Sequence, residues 1–538
     1  MVKSIKLKRA THFWSQSYLS YYKANNFSSP STNCLTILCV SVSNSLQIKM
    51  FELIFIPAPG IGHLASTVEM ANVLVTRDHR LSVTLLAMKL PYDVKVAECI
   101  ESLSTSFAGK NIQFNVLPEP PLPEESKKDF IVLVESYKPY VREVVSNLTA
   151  SAATSIDSPR LVGLVIDMFC TTMIDVGNEF GVPCYVFYTC SASFLAFSLY
   201  LQELYEENGS NEVVEQLLNS DNVELTLPNF VNPIPSKLIP TLFSNKDKAV
   251  WFHNHIKRFR LEIKGILINT FEEMESHVAK SYSQVLPPLY FVGPVLHLKN
   301  AGVAGSSEAQ NNADIIMKWL DDQPPSSVVL VCFGTMVSFD EAQVAEIANA
   351  LEESGVRFIW SLRQPPPKGK FEAPKNYNDI RNFLPEGFLD RTMSIGRVIG
   401  WTSQVEILAH PAIGGFISHC GWNSVLESVW HGVLIATWPM HAEQQFNAFE
   451  MVVELGLAVE VTLDYRITFG EDKPRLVSAE EIKSGIKKLM GEESNEVRKK
   501  VKAKSEESRK SVMEGGSSFV SLGKFIDDVL ANSAGGGN

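Results

Sequence analysis

The chain of 538 residues is short of several things, and each shortage closes a class of function. No Asp-x-Asp pair occurs in it, so a divalent ion held by two such carboxylates is not expected here. Basic residues are outnumbered, 48 against 60 acidic, and the formal net charge of −12 argues against the cationic face that nucleic acid requires. No stretch reaches the roughly 18 apolar residues that cross a bilayer. Cysteine is sparse, 8 in all, with no Cys-x-x-Cys and no paired spacing. That usage points to reduced thiols in a cytosolic protein rather than to a disulfide framework. Residues 1–49 lack Asp and Glu altogether while carrying Lys3, Lys6, Lys8, Arg9, Lys23 and Lys49. Such a composition is either that of a plastid or mitochondrial transit peptide or that of an N-terminal extension ahead of Met50 that is disordered or rarely translated.

What is present is apolar, 45% of the chain, and its length suits two domains of roughly 200–250 residues each. From Phe51 the run LIFIPAP reads as a buried strand. It enters a glycine turn, Gly60-Ile-Gly62-His63, and then LASTVEMANVLV, whose apolar spacing is helical. Strand, glycine turn and helix open a doubly wound α/β sheet. Leu81–Met88 is the next strand. LVGLVIDMFC predicts a strand ending at Asp167, with a helix from about Thr171 to Phe180 and a strand at Tyr185–Tyr188 after it. Ligands in such sheets sit at the carboxyl ends of strands, which puts Asp167 and Thr189 on the same rim as His63. Phe194 and Phe197 suit either core packing or the wall of a pocket. The segment Ser210–Phe259, with Pro228, Pro233, Pro235 and Pro240, reads as surface loops. After the polar run AGVAGSSEAQNNA, which reads as a linker, VVLVCFGTMVSF restarts the strand and glycine theme 275 residues on, Val328 against Leu53. FIWSLR is a further strand, PPPKGKFEAPKNYNDIRNF an exposed loop, and the alternating charges of Glu480–Arg509 a solvated helical face.

Gly60-x-Gly62-x-x-Ala65 also admits a dinucleotide fingerprint, hence an NAD-dependent oxidoreductase. That reading needs an acidic ribose ligand about 20 residues on, at the end of the second strand. The chain there is Met88-Lys89-Leu90.

The densest stretch is Trp401–Gln444, WTSQVEILAHPAIGGFISHCGWNSVLESVWHGVLIATWPMHAEQ. A strand, GGFISH, ends on His419 and a helix follows at once. The turn His419-Cys-Gly-Trp-Asn-Ser424 brings an imidazole, an indole, an amide, a hydroxyl and open backbone N–H groups to a helix N-terminus, a ready anion site for a diphosphate. Glu427 shares a helix face with Asn423 and Ser424 and suits a ribose diol. Glu443 and Gln444 suit sugar hydroxyls. Piece by piece, bland readings stay open: Ser424-x-x-Glu427 as a capping box, Trp401 and Trp422 as packing, His419 as a turn histidine.

Taken together the stretch resembles the signature of plant secondary-product UDP-glycosyltransferases, a family with the GT-B fold, and the likeness extends over about residues 50–530. The resemblance implies two facing Rossmann-like domains: an acceptor domain at 50–295, a linker at 296–313, a UDP-sugar domain at 314–515, and a tail at 516–538 crossing back to the first. It implies that Trp401 stacks on uracil, with Thr402 beside it, and that Gln404 binds base or ribose. Glu427 then takes the ribose hydroxyls. His419, Asn423 and Ser424 hold the diphosphate with the turn of Thr335 and Ser338, while Thr189, Trp422, Glu443 and Gln444 surround the sugar. Gln444 is associated in the family with glucose. Thr402-Ser403, Val337, Leu434 and His441 depart from the commoner residues. The opening MFELIFIPAPGIGHL and the PPPKGKFEAP loop resemble a subgroup that glucosylates phenols and related acids.

The chemistry needs a base, because a phenol with pKa near 10 is protonated at neutral pH. His63 suits that role and Asp167 suits holding its tautomer, as the family also assigns. The expectation is an inverting UDP-glucosyltransferase with UDP-glucose as co-substrate. Neither metal nor cofactor, neither nucleic acid nor membrane span is expected. It would act as a cytoplasmic monomer on a flavonoid or other phenolic; a non-catalytic UDP-binding protein is the further alternative.

Overall fold

The computed structural model describes residues 50–538 except 92–93, 155–157, 221–222, 229, 283–284, 299–306, 368–372, 402, 468–474 and 535–538. The transit-peptide reading of 1–49, the role given to Thr402 and the middle of the PPPKGKFEAP loop therefore lie outside the described residues. The strands, in chain order, are β1 (Phe51–Ile56), β2 (Leu81–Ala87), β3 (Ile112–Val116), β4 (Arg160–Asp167), β5 (Cys184–Tyr188), β6 (Glu224–Leu225), β7 (Ile234–Pro235), β8 (Ile266–Ile268), β9 (Leu289–Phe291), β10 (Val328–Cys332), β11 (Arg357–Ser361), β12 (Gly396–Ile399), β13 (Ile413–Ser418), β14 (Ile435–Thr437) and β15 (Ala458–Glu460).

One parallel sheet runs β3-β2-β1-β4-β5-β8-β9 and a second runs β12-β11-β10-β13-β14-β15; β6 and β7 form a small antiparallel pair. Both large sheets start in the middle and reverse direction once, between β1 and β4 and between β10 and β13. The crevice outside such a reversal is where doubly wound sheets bind ligands. Register makes the two reversals alike. Ile56 lies level with Ile166, Cys332 lies level with Ser418, and each pairing carries one irregularity near its start. The turns that follow, Gly60–His63 beyond β1 and Gly334–Thr335 beyond β10, thus leave their sheets beside Asp167 and His419.

Alternation along β1 explains why the first sheet is covered on both faces. Leu53 and Phe55 pack with Leu64, Val68, Leu74 and, from the far end of the chain, Phe525. Ile54 and Ile56 pack on the other face with Phe197, Phe259 and Ile266. Leu64, Val68, Ala71, Leu74 and Val75 form the buried stripe of the Ile61–Arg77 helix, a spacing that follows from 3.6 residues per turn. The second sheet has its own core, with Leu330, Trp360, Phe416 and Trp438 fully or nearly fully buried.

Three features differ from the sequence reading. The Ser210–Phe259 segment is not loop alone: helices occupy Glu212–Leu218 and Lys246–Leu261, the second burying Phe252, His253, His255, Ile256 and Phe259. A helix, Ser307–Asp321, begins inside the stretch read as linker. Within the loop read as exposed, Ala373 and Pro374 are buried and Lys375 bridges to Gln364, so that segment folds back on the end of β11.

Contacts between the two sheets' layers are specific. Phe446, fully buried, stacks on Phe197 with ring centroids 4.9 Å apart. The indole N–H of Trp422 donates to the Asn269 carbonyl at 2.8 Å. The Glu454 carboxylate accepts from the backbone N–H groups of Val231 (2.7 Å) and Asn232 (3.1 Å). The last helix, Ser517–Ala534, lies against the first sheet: Phe525 packs edge-on between Tyr185 and Tyr290, and the Tyr290 hydroxyl donates to Asp528 at 2.5 Å.

Candidate active site

His63 stands in the first turn of the Ile61–Arg77 helix and Asp167 is the last residue of β4, so the reversal of the first sheet brings together residues 104 apart in sequence. Nδ1 of His63 is 2.8 Å from Asp167 Oδ2, and the Phe169 N–H donates to Asp167 Oδ1 at 3.0 Å, which fixes the carboxylate plane. The imidazole is 29% exposed while the carboxylate is fully buried. Burial disfavours the imidazolium, but Asp167 beside it and the Glu443 carboxylate outweigh that loss and hold its pKa above the ordinary histidine value. The arrangement leaves Nε2 with no protein partner among the described residues, as a proton acceptor requires. Phe169 crosses the ring edge-on at 5.5 Å, and Phe130 crosses Phe169 at the same distance, so an aromatic wall stands next to the imidazole.

The second reversal carries different groups. Gly334 has φ +77, a conformation that suits glycine, and a Cβ there would lie 2.8 Å from His419 Nε2. The close approach of turn and ring therefore needs the missing side chain. The Trp422–His431 helix starts at Gly421 with no side chain capping it. Its first N–H groups are open, and the capping-box reading of Ser424-x-x-Glu427 does not hold. Ser424 Oγ instead accepts from Gln404 Nε2 at 2.9 Å, and the same amide donates to Glu427 Oε2 at 2.7 Å. Burial pushes the Glu427 carboxyl up to about 7, with the Gln404 hydrogen bond acting against it. His419 is neutral: burial, then repulsion from His441, lowers it to about 3, and its buried Nδ1 has no partner. Cys420 (φ 62) and Ala442 (φ 59) hold the left-handed backbone conformation just before the Asn423–Ser424 and Glu443–Gln444 pairs, a strain that clusters at ligand sites.

A cleft of about 280 Å³ runs along this second reversal and gathers Thr335, Trp401, Gln404, His419, Asn423, Ser424 and Glu427 with Gly62 and Ser66 from the opposite side. Asn423 reaches across it, donating to the Gly62 carbonyl and accepting from Ser66 Oγ, both at 3.3 Å. A larger hollow, about 710 Å³, opens beside the last helix near Tyr290, Lys524 and Asp527, and contains none of the expected ligands.

Five expected residues lie outside the lining of this cleft. Trp422 is 2% exposed and its indole N–H is spent on Asn269, so it pins the layers together instead of lining the cleft. Ser338 is half-buried beyond the turn, outside the cleft. Thr189 touches the His63 imidazole, its hydroxyl 3.1 Å from Nδ1. Gln444 is buried, its carbonyl oxygen accepting from the Met440 and His441 N–H groups at 3.0 and 3.2 Å, which leaves its NH₂ for a ligand. Glu443 acts on His63 through its charge and is itself raised by burial. Sequence reasoning passed over Asn376, whose side chain accepts from the Trp401 N–H at 2.9 Å. It also passed over His255, buried on the Lys246–Leu261 helix, which donates to the Met168 carbonyl and meets the Thr171 hydroxyl at 2.5 Å, bracing the loop beyond Asp167. Among the described residues no group of His, Cys, Asp and Glu has the arrangement of a metal site, and no helix is long and apolar enough to cross a membrane.

A family model described as UDP-glucoronosyl and UDP-glucosyl transferase matches residues 241–472. The UDP-glucose flavonoid 3-O-glucosyltransferase 6 of Fragaria ananassa is 49% identical over 89% of this chain and 99% of its own. Among solved structures, a UGT transferase from Siraitia grosvenorii in complex with UDP is 52% identical over 89% of this chain and all of its own, with a TM-score of 0.79. UGT71G1 of Medicago truncatula, complexed with UDP-glucose, is 41% identical over 90% of this chain and 99% of its own, with a TM-score of 0.76. On this identity and coverage the chain belongs to the UDP-glucoronosyl and UDP-glucosyl transferase family, as one of its plant UDP-glycosyltransferases, in the two-sheet GT-B fold that its residues led us to expect.

Proposed function

We propose that the chain transfers glucose from UDP-glucose to a hydroxyl of a flavonoid or other small phenolic, with inversion at the anomeric carbon. The observation that carries the reading is the 2.8 Å contact of His63 with Asp167 at one reversal, opposite an uncapped helix start and neutral donors at the other. His63 Nε2 takes the acceptor proton as the hydroxyl oxygen attacks C1, and the C1–O bond to UDP breaks with its electron pair leaving on the diphosphate. Asp167 holds Nδ1–H and stabilises the imidazolium. His419, Asn423, Ser424 and Thr335, with the open N–H groups, supply donors already in place for the leaving charge. Trp401, braced by Asn376, offers the face for uracil, with Thr402 next to it in sequence. Gln404 and Glu427 meet the ribose, and Glu443 and the NH₂ of Gln444 meet the sugar. The flavonoid named in the Fragaria ananassa relative supports the acceptor class, as does the aromatic wall of Phe169 and Phe130. The reaction needs no divalent metal, the chain works as a monomer, and the buried thiols of Cys170, Cys184, Cys190, Cys332 and Cys420 suit the cytosol.

The test is a panel of phenolics with UDP-glucose, read by product mass, UDP release and the anomeric coupling in the NMR spectrum of the product. A β-glucoside is expected, formed equally well in the presence of a chelator. An α-linked product, or full activity of His63→Ala on a weakly acidic alcohol, overturns the mechanism.

A further inference from the structure

Two oxygens converge on one nitrogen of the base. Nδ1 of His63 is 2.8 Å from Asp167 Oδ2 and 3.1 Å from Thr189 Oγ1. They come from neighbouring strands, Asp167 closing β4 level with Phe187 and Thr189 following β5. Thr189 is 6% exposed, and its other polar neighbour, the Met168 sulfur, is 4.0 Å away.

The donor and acceptor rules decide what the threonine does there. A carboxylate only accepts, so the hydrogen between His63 and Asp167 belongs to Nδ1. With that hydrogen in place, Thr189 Oγ1 meets Nδ1 as an acceptor too, and its own hydrogen is directed away from the ring. We infer that Thr189 is a positioning residue for the base, its hydroxyl oxygen sharing the Nδ1–H of His63 with Asp167 and so holding the ring and tautomer that keep Nε2 bare. This inference rests on His63 being the base and gives Thr189 a task other than touching the sugar. When the acceptor O–H bond breaks and its proton moves to Nε2, the imidazolium presents Nδ1–H to two oxygens from adjacent strands, and neither one alone sets the angle of the ring. The charged groups that bear on this ring are Asp167, on the neighbouring strand, and Glu443 from the second sheet's layer; a change at Thr189 leaves both in place.

The experiment compares Thr189→Val, which keeps the shape and removes the oxygen, with Thr189→Ser, which restores it. In the valine variant the acid limb of kcat/KM is expected to move to lower pH by about half to one pH unit, because the imidazolium has lost an acceptor. Its kcat at the plateau is expected to fall about three- to tenfold, with KM for UDP-glucose within about twofold and the serine variant close to the parent protein. The same downward movement is expected for the His63 signal in ligand-free protein labelled with ¹³Cε1-histidine, assigned by its loss in His63→Ala. A valine variant that raises only KM for UDP-glucose, with limb and His63 titration unmoved, makes Thr189 a sugar contact and overturns the inference. So does a serine variant as impaired as the valine one, since the oxygen would then be present without restoring the function. The titration is read without turnover, so it judges Thr189 even if activity in His63→Ala shows that the base lies elsewhere.

Discussion

The two reversals have the same backbone and opposite electrostatics. Each lies between a sheet's first strand and its neighbour, each begins with a glycine turn, and each carries a histidine, yet His63 is held above the ordinary histidine value and His419 is pushed to about 3. The cause is the company each ring keeps. A buried carboxylate sits on His63, whereas His419 faces another histidine, a turn backbone and no acid. One topology thus delivers a ring paired with an acid and a ring held neutral. Side chains, not strand order, set the two apart, and on the proposed reading they separate proton transfer from diphosphate binding.

Exchanging injuries between the reversals gives the largest test of that contrast. His63→Ala is expected to lower kcat on the order of 10³-fold while leaving KM for UDP-glucose nearly unchanged. His419→Ala is expected to do the reverse in kind, weakening UDP by about tenfold or more in calorimetry. Equal loss of UDP affinity in both variants would break the comparison. Gly334→Ala probes the second reversal alone. Its φ of +77 and the 2.8 Å approach to His419 predict a donor KM raised about tenfold and the acid limb of the pH profile unmoved.

Glu427 carries the same contrast into the pH dependence. Its carboxyl is raised to about 7, and a carboxylate in the ribose-binding role proposed for it accepts hydroxyls best when ionised. KM for UDP-glucose is therefore expected to fall a few-fold between about pH 6 and 8, and to stay flat in Glu427→Gln. The smallest effect lies between the sheets. Glu450 and Glu275 are both fully buried, and desolvation followed by the neighbouring carboxylate raises Glu450 well above its ordinary value. A carboxyl raised in the folded state favours folding at low pH and gives up that contribution as pH climbs from its unfolded value to its folded one. Glu450→Gln is thus expected to raise Tm by about 3 °C at pH 8 and by less at pH 5, read by calorimetry. Catalysis should be unaltered, since the pair belongs to neither reversal.

How much of this was legible follows from the range of each interaction. The glycine turns, β1, β10 and the Trp401–Gln444 stretch announce themselves because their cues lie within a few neighbouring residues. The Lys246–Leu261 helix does not, although Ala249, Phe252, His253, Ile256 and Phe259 are spaced as a helical stripe. Two of its inward positions are histidines, which a polarity pattern counts as outward, and the prolines upstream make the whole segment look irregular. Trp422 reads equally well as ligand or filler until Asn269, 153 residues away, takes its N–H. The contact of Thr189 with His63 spans 126 residues and has no local trace at all. Strand order still put Asp167 and Thr189 on the rim of His63; what it could not give is which atoms of distant partners meet.

The helix Ser517–Ala534 follows the whole second sheet in the chain but packs on the first. During synthesis, therefore, the seam between Tyr185 and Tyr290 stays open while everything from β10 to β15 is being made, although domains are otherwise completed in order of emergence. The earliest part of the protein is finished last. A nascent chain stalled anywhere in the second sheet would carry an apolar groove that only its own unborn end can fill.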